Sequence, residues 1–283
     1  MLTISILPRS VILLPLRMRS ISAICFIGTL SACGGGGTST ATNASGGFAD
    51  LSNTASASLT AVTLRPSETQ SDRQTGEIDF MASTVVLNGE DGTISNDRSE
   101  IKLQSGALLD LMIPDDRYAV RFDRLDPNAL PEFGVIGIAT YPSAISNQGT
   151  ARYNGQSELL VQSGTDVYEL TADAELNVDL ALRFGVQARI TNLEGTKYPN
   201  LGAPEDVSLA GEIRIDDIMR DGAVLSGGEV ELTGTPFPVS YQADFMLNGQ
   251  FYGPDADEAG ATFVVDDLGT TTTLILGDIL VQQ

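Results

Sequence analysis

Between Tyr168 and Leu180 apolar and polar side chains alternate without a break. Tyr168, Leu170, Ala172, Ala174, Leu176, Val178 and Leu180 fall on one face, and Glu169, Thr171, Asp173, Glu175, Asn177 and Asp179 on the other. A helix would scatter these two sets around its axis, whereas a strand separates them. The pattern continues with Leu182, Phe184, Val186, Ala188 and Ile190 opposite Arg183, Gln187 and Arg189, and Val207, Leu209, Ile213 and Ile215 follow suit. About eight or nine such runs, broken by Gly, Pro, Asn and Asp, occupy residues 134 to 283. No long helical period is present. Successive antiparallel strands with one apolar face remove their edges by closing on themselves, so this half is expected to form an eight-stranded antiparallel barrel. Its interior should include Leu176, Val178, Phe184, Val186, Phe245, Leu247 and Phe251, with Gly185, Gly211, Gly249 and Gly253 interrupting strands where a small barrel bends or crowds.

Residues 48 to 133 form a second strand-rich region, with runs at Ile78 to Leu87, Ile101 to Ile113 and Tyr118 to Leu125 and a turn at Asn88-Gly89-Glu90-Asp91-Gly92. The stretch "DPNALPEFG", with two prolines and little periodicity, places the boundary between the regions at Pro127 to Phe133. The fold class expected is therefore all-β: a strand-rich region at 48–133 and a β-barrel at 134–283.

The N-terminus has another character. Arg17 and Arg19 precede an apolar run from Ile21 to Leu30, too short to span a bilayer but suited to a secretory signal peptide. The run ends in Leu30-Ser31-Ala32-Cys33, the form of a bacterial lipobox, so residues 1–32 read as a lipoprotein signal peptide and Cys33 as the lipid-attachment site. Residues 1 to 17 make a long leader, and Met18 is an alternative start to Met1. After Cys33 comes "GGGGTSTATNASGG", which cannot bury enough apolar surface to order itself and reads, over 33–47, as a tether. Its r.m.s. span is about 20 Å.

Composition then narrows the chemistry. The chain has 283 residues, 16 Lys+Arg against 37 Asp+Glu, two Cys, and neither His nor Trp. Processing removes Arg9, Arg17 and Arg19 and no acid, leaving 13 basic and 37 acidic residues and a charge of -24. Without imidazole there is no Ser-His-Asp triad, no His-activated thiol and no His-ligated metal, and with Cys25 removed and Cys33 lipidated no thiol remains. No catalytic residue, metal or cofactor is assigned, and an enzyme here would have to run on carboxylates. The deficit of positive charge argues against nucleic acid. Aromatics at 6% without girdles, and an anchor at Cys33, favour an apolar-inside soluble barrel over a porin.

The residues also carry a resemblance. Asn248 to Phe263, "NGQFYGPDADEAGATF", is similar to the closing segment of the β-barrel domain of the transferrin-binding protein B lipoprotein family, G-x-F-Y-G-P-x-A-x-E-x-G-G-x-F. Gly249, Phe251, Tyr252, Gly253, Pro254, Ala256, Glu258, Gly260 and Phe263 match, while Ala261 replaces the second glycine of the pair. "GTARYNGQS" at 149–157 and "AELNVDL" at 174–180 resemble two earlier segments in the same order. The resemblance implies a single lobe in which a handle-like region, here 48–133, precedes an eight-stranded barrel. It implies a lipid-anchored bacterial outer-membrane protein at the cell surface that captures a protein or iron-bearing ligand, with a TonB-dependent receptor or a surface-lipoprotein export protein as companion. Single-lobe relatives bind partners as varied as complement regulators and haemoglobin, so no ligand contact is transferred. The other reading is a structural or envelope-interaction lipoprotein with no nutrient ligand. The motif itself reads structurally: Gly253-Pro254 sets a turn, Gly249 and Gly260 permit close backbone approach, and Phe251 and Phe263 fill the interior.

Three weaker signals are read as structural. Ser99-Glu100-Ile101-Lys102 fits S-x-x-K, but residues three apart in a strand point opposite ways. "DADEAG" at 255–260 spaces Asp255, Asp257 and Asp266 as in a calcium loop, yet strand begins again at Phe263. The doublets Asp115-Asp116, Glu205-Asp206, Asp216-Asp217 and Asp266-Asp267 read as solvated turn charges.

Overall fold

The computed structural model describes residues 56–66, 69–112, 117–126 and 132–283. The segments read as signal peptide and tether, Cys33 and the Asp115-Asp116 doublet lie outside the described residues. Among the described residues there is no α-helix, only a 3-10 turn at Pro142–Ala144.

The first barrel comprises β1 (Ala57–Arg65), β2 (Gln70–Asp79), β3 (Thr84–Leu87), β4 (Glu90–Ile94), β5 (Glu100–Leu103), β6 (Leu108–Met112), β7 (Ala119–Leu125) and β8 (Glu132–Ile138). Each pairs antiparallel with the next, and β1 pairs with β8 from Leu59↔Ile138 to Leu64↔Phe133, so the strand-rich first region is itself closed. Two expected runs break: Ile78 to Leu87 turns between β2 and β3, and Ile101 to Ile113 turns between β5 and β6. The division drawn at 133/134 falls inside β8.

The second sheet contains β9 (Thr150–Ser163), β10 (Asp166–Asp179), β11 (Val186–Tyr198), β12 (Glu205–Asp221), β13 (Val224–Ser226), β14 (Glu229–Thr233), β15 (Asp244–Tyr252), β16 (Glu258–Asp267) and β17 (Thr273–Gln282). Its order is β11-β10-β9-β17-β16-β15-β13-β12-β14, and a further β11–β12 ladder joins the two arms into a ring of eight, with β14 paired to β12 alone. Long strands follow from the uninterrupted alternation that names them. Leu176, Val178, Val186, Leu247 and Phe251 are buried in the ring's core, and Phe245 packs against it half-buried. Phe184 is the exception. It and Leu182 are 57% and 55% exposed, because the chain turns at 180–185 between β10 and β11, where Asp179 N–H donates to the Gly185 carbonyl, and strand resumes only at Val186.

The two rings share a seam. β1, β8, β16 and β17 are buried on both faces: one row of each lines its own ring, and the other row packs against the neighbouring ring. Leu59 and Ala61 belong to the first barrel's core, whereas Val62 and Leu64 pack on Tyr252, Leu280, Val264 and Leu276 of the second sheet.

Candidate functional site

Residues 244–267 form a hairpin whose two side-chain rows serve different rings. Phe251 and Phe263 point into the second ring, both fully buried, with Phe251 5.7 Å from the Tyr153 ring. The alternate row faces the first barrel. Tyr252 packs with Val62, Ala119, Val135 and Leu280, and the Glu258 carboxylate accepts from the Ala119 N–H at 2.8 Å. A Cβ on Gly260 would stand 2.6 Å from Val135 Cγ1, so only glycine allows this approach. Gly253 has φ +84°, and a Cβ there would meet the Tyr118 ring at 2.7 Å. Ala256 holds a left-handed turn position at φ +58°, and its carbonyl accepts from the buried Tyr153 hydroxyl at 2.9 Å. Pro254 lies in the same turn and Gly249 in β15, paired with Ala261. The matched motif thus holds the two rings together.

Polar groups fix the seam's register. The Ser71 and Thr262 hydroxyls lie 2.7 Å apart, Asn248 Nδ2 donates to the Ser71 carbonyl at 2.7 Å, and Arg121 Nε reaches Asp278 Oδ1 at 2.9 Å. Burial raises the Glu258 carboxyl to about 7, although the Ala119 N–H and Arg117 pull the other way. Burial likewise raises Asp278 to about 6 against the pull of Arg121. These groups are buried in the joint between the two rings, and that burial is the first cause of their perturbation.

Among the described residues the two most exposed large apolar side chains lie at one end of the second ring. β9, β11 and β16 end there and β10, β12, β15 and β17 begin there, so residues 164–165, 199–204, 234–243 and 268–272 cluster as loops. The chain enters β1 beside the opposite end, where the Ala139 N–H donates to Ser58 and the Thr140 N–H to Phe251. The loop base is held by a buried ring, hydrogen bonds and ion pairs. Phe237 is buried edge-on against Tyr168 at 5.1 Å and closes the core. The Asp267 carboxylate accepts from Ser240 N–H at 2.6 Å and from Thr271 Oγ1 at 2.8 Å; burial pushes this carboxyl up, but those bonds hold it below its ordinary value. Lys197 Nζ bridges Asp166 at 3.1 Å and Glu205 at 3.4 Å. Above this base Leu201 and Tyr241 are 92% and 95% exposed. Within the ring, the void lined by Leu176, Leu225, Leu247 and Ile279 measures about 10 Å³, scarcely room for one water.

The remaining candidates are dispersed. Ser99 lies in a turn that Asp97 organises, and Lys102 lies in β5. Asp255 and Asp257 share the 253–257 turn, whereas Asp266 lies in β16 and accepts from Leu268 N–H. Asp216 accepts from Gln187 and Arg214 on the outer wall. Among the described residues no three His, Cys, Asp or Glu side chains gather as metal ligands. The sequence reading did not single out Leu201 or Tyr241, because isolated apolar residues in polar loops carry no periodic signal.

No protein-family profile and no curated protein matches the sequence. Solved structures do. A double mutant of transferrin-binding protein B from Haemophilus parasuis superposes with a TM-score of 0.52 at 14% identity, over 80% of this chain and 44% of that one. A single mutant of the same protein gives 0.50 at 16% identity, over 80% and 45%. The apo haemoglobin receptor HpuA of Kingella denitrificans gives 0.37 at 11% identity, over 80% and 86%. The fold is that of a transferrin-binding-protein-B lobe, and the chain spans less than half the length of the two Haemophilus parasuis proteins.

Proposed function

We propose that the chain is a surface lipoprotein of the bacterial outer membrane, lipidated at Cys33, that captures a protein or iron-bearing ligand with the loops at 199–204, 234–243 and 268–272. The observation that carries this reading is a pair of exposed large apolar side chains, Leu201 and Tyr241, presented from loops whose base is hydrogen-bonded and ion-paired. Exposed large apolar side chains on a rigid scaffold are what a binding face needs. β9 supplies roughly 45 Å of strand between the end of the ring beside which β1 begins and the loops. The lobe fold, shared with proteins named for binding transferrin, supports the same reading, and the proposal includes a TonB-dependent receptor or a surface-lipoprotein export protein as companion. An acidic surface would steer a partner with a basic patch, with an on-rate that falls as salt rises.

The test is binding of the full chain to immobilised transferrin and haemoglobin at two salt concentrations. Capture of either, weakened roughly tenfold or more by Leu201→Ser with Tyr241→Ser, is expected. Binding to neither, with the protein retained by envelope fractions in both forms, would favour a structural envelope role instead. Cys33→Ala should release the protein from the membrane fraction or leave it unprocessed, and unchanged anchoring without lipid label on the wild type would refute the lipoprotein assignment.

A further inference from the structure

The wall of the second ring is not hydrogen-bonded over its full height. β13 bridges β12 and β15, pairing Met219↔Ser226 on one side and Ser226↔Asn248 on the other. Beyond it the strand kinks. Gly227 and Gly228 have φ +65° and +116°, opposite Asp217 at +53° on β12, and a Cβ on Gly228 would stand 2.8 Å from the Asp216 carbonyl. After this bulge β14 keeps its ladder to β12, from Asp216↔Glu229 to Glu212↔Thr233, but no ladder joins it to β15. The last contact across the gap is Gly227 N–H to the Leu247 carbonyl at 3.1 Å. A slit therefore opens upward between β14 and residues 244–246 of β15. Side chains on its two lips register the gap. Ile213, Ile215 and Val265 are fully buried, while Leu232, Val230 and Phe245, which stand opposite them in the ladders, are only half-buried.

We propose that this slit is a strand-addition site that takes an extended segment of a partner protein with basic residues at alternate positions. Two strand edges with unpaired main-chain groups, above a partly exposed apolar floor, are the two halves of such recognition: hydrogen bonds for affinity and alternate side-chain pockets for specificity. Charge decides the occupant. The outward row of the lips carries Glu229, Glu231 and Asp244, and Asp266 stands directly opposite Asp244. The nearby cation, Arg214, is already engaged by Asp216 and Glu231. A second copy of this chain would set carboxylates against carboxylates, a destabilising cross-strand pairing, whereas Lys or Arg at alternate positions would neutralise the row. The site is on the side wall and goes beyond capture by the loops, so Leu201→Ser with Tyr241→Ser should leave it intact.

The experiment offers the full chain a peptide of about eight residues alternating Val and Lys, the same peptide with alternate backbone amides N-methylated, and a Val/Glu counterpart. Hydrogen exchange at the alternate amides of residues 229–233 and 244–246 that the β12 and β16 ladders do not engage should be fast in the free protein and slow with the Val/Lys peptide. N-methylation and the Glu replacement should each weaken binding by roughly tenfold or more, and Glu229→Lys with Glu231→Lys should reverse the preference between the Lys and Glu peptides. Equal binding of the N-methylated peptide, protection elsewhere, or no binding would overturn the proposal. So would edges already protected in the free protein, which would mean that the chain itself or a second copy covers them.

Discussion

The seam strands and the free wall of the second ring are built from the same residue types but obey different rules. On β10 burial alternates strictly from Leu170 to Val178, because one face meets the core and the other meets water. On β16 eight consecutive residues from Glu258 to Val265 are buried, because one face meets its own core and the other meets the first barrel. A polar residue on the wall costs nothing to solvate. On the seam it must find a partner, and Thr262, Glu258 and Asp278 do so in Ser71, Ala119 and Arg121. Substitutions should therefore be tolerated on the wall's outer face and felt on both faces of the seam.

The largest effect should come from emptying the seam. Tyr252→Ala removes a fully buried ring between the two barrels and should cost about 3–5 kcal/mol in urea unfolding. A cost below about 1 kcal/mol would mean that the rings fold without one another and that the comparison is misdrawn. Arg121→Ala should cost about the same, because it leaves the buried Asp278 carboxylate without its cation. Replacing both, with Arg121→Met and Asp278→Leu, should recover most of that loss, since a well-packed apolar pair can substitute for a buried ion pair. Failure to recover would show that the pair's hydrogen bonds matter beyond its charge.

The same contrast explains what could be read from the sequence. β10 to β12 were legible because one-sided burial writes itself as alternation. β1 was missed and the boundary was drawn inside β8, because two-sided burial erases the period: "EFGVIGI" reads as a loop end or a core run equally well. The first barrel's closure was hidden by strands of four or five residues, β3 to β6, each too short to show a period. Within the 248–263 motif the phase of Phe251 and Phe263 was read as interior. The opposite phase, Tyr252, Glu258 and Gly260, faces a neighbour that a single sequence does not announce. Phe184 failed for the reverse reason: it keeps the strand's phase after the chain has left the sheet at Asp179.

Acidity tests the seam more gently. The Glu258 carboxyl is raised from 4.5 to about 7 by burial, so the folded state resists its ionisation. Its contribution is fully present below pH 4.5 and is lost as pH rises through 7, an effect of about 3 kcal/mol. Asp278, raised to about 6, acts with the same sign in a lower window. Carboxyls held down by hydrogen bonds, such as Asp267 by Ser240 and Thr271, act oppositely and only as pH falls below their ordinary range. Between pH 5 and 8 the unfolding free energy should therefore fall, and Glu258→Gln should flatten the upper part of that fall. A slope unchanged in Glu258→Gln would remove Glu258 from the account.

The smallest effect belongs on the free wall and completes the contrast. Arg189 pairs with Glu212 at 2.5 Å, shorter than the Arg121–Asp278 contact, yet the Arg189 side chain is 57% exposed where Arg121 is 12% exposed. Distance alone would rank the wall pair as the stronger. Solvation reverses that order: an exposed pair exchanges water for its partner at little net gain and gives up side-chain freedom to do so. Its residual attraction is also screened by salt, whereas the seam pair is shielded from ions by the packing around it. Arg189→Ala should thus cost at most about 1 kcal/mol, and that cost should vanish at about 1 M salt. The cost of Arg121→Ala should persist at the same salt. Equal costs for the two substitutions, or equal sensitivity to salt, would show that the buried face of the seam is as wet as the wall.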